Sequence, residues 1–214
     1  MSADTPPTPG QPPVTDGRSL RWERHRATRR QELVDATMRA IRTHGASVGM
    51  DDIAAAAATS KTVFYRHFTD RAGLYAAVTE RVAETILRDL TKEGARSLGA
   101  PHREGIEKAI DAYLGLVENE PEIYRFVVTA PLLERAGAGD PSASVSTRVA
   151  EHLAVQLATW PRLDGQRARV WSHGVVGMVR AAADDWLGSG AAASGVSREE
   201  LTGLLTDLAW SGLS

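Results

Sequence analysis

Residues 50–68 read MDDIAAAAATSKTVFYRHF, and few arrangements satisfy both halves of that stretch. The first half is a short helix pattern. Gly49 stands at its N-cap position, and Asp51 and Asp52 complement the positive end of the helix dipole. Ile53, Ala54 and Ala57 form its inward side, and the run of alanines lets another helix come close. The second half starts a new helix after Thr59, with Ser60 at the N-cap position. At about 100° per residue, Phe64 and Phe68 fall on one side, flanked by Val63 and His67. Thr62, Tyr65, Arg66 and Thr69 point the opposite way. One side must be packed, while the other presents hydrogen-bond donors with no carboxylate among them.

The rest of the chain repeats the helical period, and no segment alternates like a strand. Leu33, Ala36, Thr37, Ala40, Ile41 and His44 make one stripe, closed by Gly45 where a helix C-terminal glycine is expected. Leu74, Val78, Val82 and Ile86 keep register through a long helix from Arg71 toward Glu93, the only apparent link between the two ends of the chain. Ile106, Ile110, Tyr113, Leu114 and Val117 follow over 104–118. Pro121 opens the next helix, and Pro131 is expected to bend or end it. Gly137, Gly139 and Pro141 mark a loop. Helices are expected over 145–160, 166–187 and 198–213, the last two separated by GSGAAASG. The expected class is therefore all-α with about nine helices. Three units follow: a disordered Pro-rich tail over 1–20, a three-helix unit over 21–70, and a helical domain over 71–214. Five of the ten prolines lie in the first thirteen residues, and a segment so poor in apolar bulk cannot offset its ordering entropy.

Charge is divided along the chain. The formal net charge is −2, yet Arg18 to Arg71 holds eleven Arg or Lys against six Asp or Glu, and the remainder is acidic. RSLRWERHRATRR alone carries six arginines. A basic first third points to a polyanion as its partner. Absent cysteines remove disulfides, thiolate zinc sites and cysteine nucleophiles. No apolar run approaches a membrane span and the N-terminal residues lack the basic, apolar and small-residue order of a secretory signal, so a cytoplasmic location and no membrane partner are expected. No Walker loop, HExxH, G-x-S-x-G or CxxC occurs. The six histidines are scattered, none paired at i+4. An enzyme is not expected, nor a metal or other cofactor.

Two short helices joined by about four residues, the second with outward donors, form a helix-turn-helix whose second helix can enter a major groove. Thr62 can offer its hydroxyl or methyl to a base edge, and Arg66 can reach guanine acceptors or phosphate. Tyr65 and Arg71 suit backbone oxygens. Arg29 and Arg30, just before the unit, are placed to reach phosphates or the minor groove. For His67 a structural hydrogen bond and a DNA contact both remain open.

The stretch GMDDIAAAAATSKTVFYRHFTDRAGLYAAV resembles the DNA-binding domain of TetR-family transcriptional regulators. Ser60-Lys61, Phe64-Tyr65, His67-Phe68, Arg71 and Leu74 carry the likeness, over roughly residues 28–82. By resemblance, Ser60, Lys61, Thr62, Tyr65, His67 and Arg71 lie near operator DNA, and Gly49 occupies the second helix's cap. The chain departs from the family at three points: Ala58 replaces the usual turn glycine, Gly49 replaces Thr or Ser, and Arg71 replaces Lys. An alanine held at positive φ would be strained, so a local change in the turn is expected.

The resemblance further implies double-stranded palindromic operator DNA as partner, homodimerisation through the last two long helices, and release by a small effector. Repression is the implied mode. A transcriptional activator, a regulator of lipid metabolism sensing an acyl-CoA-like ligand, and a ligand-binding protein without DNA function are the alternatives. Val170, Gly174, Gly177, Ala181 and Ala182, with Leu204, Leu205, Leu208, Ala209 and Leu213, are the candidate bundle residues. Tyr113, Tyr124, Phe126, Trp171, His173, Met178 and Arg180 are the candidate ligand residues, since an apolar pocket needs a few polar groups. The GVVGM…WL segment faintly resembles sensors of fatty acyl-CoA thioesters, which implies a long apolar ligand with an anionic head.

Overall fold

A computed structural model describes residues 17–96, 102–133, 141–160, 163–188 and 195–212. Among them all regular structure is helical: α1 (Gly17–His44), α2 (Met50–Ala56), α3 (Lys61–Phe68), α4 (Arg71–Arg96), α5 (His102–Asn119), α6 (Pro121–Leu133), α7 (Pro141–Leu157), α8 (Gly165–Gly188) and α9 (Arg198–Ser211). The all-α expectation with about nine helices holds. Boundaries differ locally. α1 starts at Gly17, inside the segment read as tail, and residues 1–16 lie outside the described residues. α6 continues two residues past Pro131, and α7 begins at Pro141, a residue suited to a first helical turn. The loop glycines Gly137 and Gly139 lie outside the described residues, as does Leu213.

Local chemistry sets the helix ends. Gly45 takes φ +87 and its N–H bonds the Ile41 carbonyl at 2.8 Å, so the chain leaves α1 through a left-handed residue. Asp70 caps α4 by accepting from the Gly73 N–H at 2.7 Å. Ser197 and Glu200 form a reciprocal capping box at the start of α9. Between α3 and α4 the turn is tight. Thr69 holds φ 70 and ψ −53, and the Asp70 N–H reaches the Phe68 carbonyl at 2.8 Å, a three-residue turn of the strained kind.

The turn between α2 and α3 was expected to change in the absence of glycine. It does not: Ala58 keeps the left-handed conformation, at φ 48. That strain is about 1–2 kcal/mol. Ala58→Gly would relieve it, against about 0.5–1 kcal/mol of added chain entropy in the unfolded state. A net stabilisation of roughly 0.5–1 kcal/mol is expected, read as a melting point higher by about 1–4 °C.

Two apolar cores result, and α6 belongs to both. The first joins Leu33 and Ile41 of α1, Ile53 of α2, Phe64 and Phe68 of α3, and Leu74 and Val78 of α4 to Ile123, Phe126 and Val127 of α6. The second joins Ile106, Ile110 and Leu114 of α5, Tyr124 of α6, Val179 of α8, and Leu205 and Ala209 of α9. α7 lies against α8 and α4. The expectation that α4 alone links the two halves is thus corrected. Arg42 of α1 grips Glu120 through Nε at 2.8 Å and Nη2 at 2.9 Å, and Glu122 accepts the Ala46 N–H at 2.9 Å. Both side chains of the Arg42–Glu120 pair stay partly exposed, so solvent screens it. Its importance is positional, because it ties the end of α1 to the start of α6.

Candidate nucleic-acid interface and internal cavity

α3 divides as its periodicity requires. Phe64 and Phe68 are buried, stacked at 6.0 Å between ring centroids. Thr62, Tyr65 and Arg66 are exposed, as are Ser60 and Lys61. Ser60 has the extended backbone of an N-cap without a side-chain cap bond, and Gly49 does the same for α2. No side-chain cap from either residue therefore occupies the first backbone N–H groups of these helices. Lys61 is held by Asp51 at 2.9 Å, which pins α3 to α2 and raises the lysine pKa through that hydrogen bond. The pair is exposed and can be exchanged for a phosphate.

The other expected residues gather around the C-terminal end of α3. The Arg30 guanidinium sits over the Phe68 ring, 4.8 Å from its centroid, while Arg29 pairs with Glu32 at 2.8 Å. Arg71 donates from Nε to the Tyr75 hydroxyl at 2.6 Å, so its guanidinium is oriented from within α4. His67 makes neither of its expected contacts plain. Its Nδ1 is buried with no hydrogen-bond partner among the described residues. Burial, then the nearby charges of Arg66, Arg26, Arg29 and Arg30, holds its pKa below the usual histidine value. A neutral ring packed beside Phe68, 6.5 Å away, fits a supporting residue for α3 better than a phosphate contact.

The second domain encloses a cavity of about 180 Å³ between α4, α5, α6, α7 and α8. Its wall is mainly aliphatic, including Val82, Ile86 and Leu90 of α4 and Val145 and Val149 of α7. Of the seven expected ligand residues, Tyr113, Tyr124, Trp171 and Arg180 line it. Three do not. Phe126 is turned into the first core, edge-on to Tyr75 at 4.5 Å. His173 is exposed and lies 3.8 Å from Glu151. Met178 packs into the second core.

The polar end of the cavity is a chain of side chains. Tyr113 donates to the Tyr124 hydroxyl at 3.3 Å, and Tyr124 donates to Asp184 at 2.7 Å. Arg180 lies 3.8 Å from Asp184 and 3.5 Å from the Ser146 hydroxyl. Burial keeps both tyrosines protonated by pushing their pKa values up. At the opposite end His102 stacks on Trp160 at 4.2 Å, and Gln156 donates to His152 at 2.9 Å. These distal residues were missed in the sequence. The signal was present over residues 145–160, where His152 and Gln156 interrupt a stripe running from Val145 and Val149 to Trp160. Among the described residues no group of three metal-ligating side chains converges, and no helix is long and apolar enough to cross a membrane.

A last feature concerns α8 and α9. Val170, Leu204 and Leu208 are 70%, 59% and 63% exposed, and Gly174, Gly177 and Ala181 line the same open side of α8. Of the expected bundle residues, Leu205 and Ala209 are instead committed to the second core and Ala182 packs against it.

Comparison with known proteins decides the family. The description "Bacterial regulatory proteins, tetR family" matches residues 33–78, and "Tetracyclin repressor-like, C-terminal domain" matches residues 94–214. The chain belongs to the TetR family of transcriptional regulators. An uncharacterised helix-turn-helix regulator of Mycobacterium tuberculosis is 34% identical across 93% of this chain and 83% of its own length. The transcriptional activator FasR of Mycolicibacterium smegmatis is 26% identical, covering 78% of this chain and 74% of FasR. A solved TetR-like regulator from Rhodococcus sp. RHA1 is 25% identical, superposes with a TM-score of 0.60, and covers 87% of this chain and 96% of that one. The first match covers α1 from Leu33, α2, α3 and the start of α4, and most of the cavity's lining falls within the second.

Proposed function

We propose that this chain is a ligand-responsive TetR-type repressor that works in the cytoplasm and binds palindromic operator DNA as a homodimer. The observation that carries the reading is the outer face of α3: Thr62, Tyr65 and Arg66 are exposed while Phe64 and Phe68 anchor the helix from behind. A helix so mounted can be inserted into a major groove without disturbing its core. Two copies joined through the open sides of α8 and α9 would offer two such helices to half-sites about one helical turn apart.

The effector is an apolar molecule held in the cavity, with Tyr113, Tyr124 and Arg180 orienting its polar end. Contact with Val82, Ile86 and Leu90 on α4 and with Tyr124 and Val127 on α6 gives it leverage on both connections to the DNA-binding domain. A ligand that favours one packing of these helices shifts the population away from the DNA-competent spacing. Activation is the second reading, supported by the similarity to FasR, which is named as an activator.

Selection of genomic fragments by the purified protein tests the proposal. A palindromic consensus is expected, and Arg66→Ala weakens each half-site by about 1–3 kcal/mol, or roughly 5–150-fold. Selection without any shared sequence would refute it. Native mass spectrometry of the same preparation reads the mass of any copurified effector.

A further inference from the structure

The first half of α1 holds more cationic surface than the helix-turn-helix uses. Residues 33–41 of α1 carry the buried stripe Leu33, Thr37, Ala40 and Ile41. Followed toward the N-terminus at helical spacing, the same side of the helix carries Arg30, Arg29, Arg26 and Trp22. At Arg30 the stripe passes over Phe68, at the end of α3. Beyond that point no part of the described chain covers it: Trp22 is 71% exposed, and Arg21, Arg24 and Arg26 are exposed as well. A face that is apolar within the core becomes arginine-rich, with a bare indole, where the core ends.

Direction matters as much as charge. The C-terminal end of α1 is tied to Glu120 in the second domain, and Arg30 is beside α3. Residues before Arg30 therefore lead away from the ligand domain and past the reading helix. From Arg30 to Arg21 the helix advances about 13 Å at 1.5 Å per residue. Among the described residues Arg21, Arg24 and Arg26 make no ion pair, and Arg29 has only Glu32. Glu23 is the one carboxylate between Arg18 and Arg30. Arg26, Arg29 and Arg30 are also close enough to Arg66 and His67 for their charges to act on the same ring, so the stripe and the reading face share one field.

We infer that this helical extension is a second DNA-contacting element, in which Arg21, Trp22 and Arg26 bind the sugar–phosphate backbone flanking the sequence that α3 reads. The inference rests on the DNA-binding reading but differs from it in what it demands. Phosphate contacts carry no sequence information and are seen in the salt dependence of binding. A rigid helix also differs from a flexible arm, since its arginines are held in place before the duplex arrives.

The test uses the full-length protein and a random-sequence duplex, so no operator need be known. Wild type and Arg21→Ala/Arg26→Ala are titrated from low to moderate salt. The variant is expected to lose about 0.9 of slope for each phosphate contact removed, or about 2 per protomer. Trp22→Ala is expected to weaken binding with the slope nearly unchanged. Both substitutions lie outside the cores, and unchanged thermal melting checks that the fold is intact. Equal slopes for wild type and double variant overturn the inference, including the case in which the stripe serves an acidic protein instead. Failure of the regulator reading looks different: the slopes still separate, but genomic selection yields no preferred sequence.

Discussion

Leu204→Asp with Leu208→Asp is expected to leave the protein folded but monomeric, with operator affinity reduced by about 10²–10⁴. Both leucines lie four residues apart on the outer side of α9, 59% and 63% exposed, so neither supports the chain's own core. Their neighbours Leu205 and Ala209 do, at 3% exposure each. Burying a leucine side chain is worth about 1.5–3 kcal/mol. In a two-fold interface each substitution acts twice, and four carboxylates would then meet where four leucines had met. Loss of the dimer separates the two reading helices, so each half-site must be bound independently. Light scattering after size exclusion gives the oligomeric state, and a titration with operator DNA gives the affinity. A variant that remains dimeric would mean that assembly uses another surface.

Phe64→Ala is expected to destabilise the DNA-binding domain by about 3–5 kcal/mol. Phe64 is 1% exposed and joins α3 to Ile53, Leu74 and Phe68. α3 has eight residues, too few to persist without packing. The cavity left by the ring therefore loosens the element that presents Thr62 and Arg66. Thermal melting should shift down by roughly 6–20 °C, and DNA affinity should fall although no contact residue has changed. Tyr65→Ala, one position on, is the control. Tyr65 is 42% exposed, and a surface substitution of this kind stays within about 0.5 kcal/mol. Similar losses of stability for the two variants would contradict the assignment of their faces.

The reading helix was legible because everything that defines it is local. Its cap, its two faces and the glycine that ends α1 follow from side-chain spacing and backbone freedom over a few residues. The same reasoning found the positions of the other helices, with errors of a few residues at their ends. It was less successful inside the second domain. Phe126, His173 and Met178 had the right chemistry for a ligand pocket, and each points elsewhere. His102, His152 and Trp160 were passed over, yet they close the cavity's far end.

Periodicity identifies the buried stripe of a helix, but not which neighbour will cover it. α6 makes the point most clearly. Ile123 and Phe126 face the DNA-binding core, Tyr124 between them in sequence faces the cavity, and Val127 touches both. That division depends on the angle at which α6 crosses α1, α4 and α5, and helix crossing is set by how side chains of distant segments interlock. The sequence by itself determined the helical class, the donor-bearing face of α3 and the basic first third, since these depend on residue type and short spacing. The tertiary structure alone decided the cavity's lining, the second tie between domains through Arg42 and Glu120, and the reach of α1 beyond α3, because each arises where residues far apart in the chain are brought together by packing.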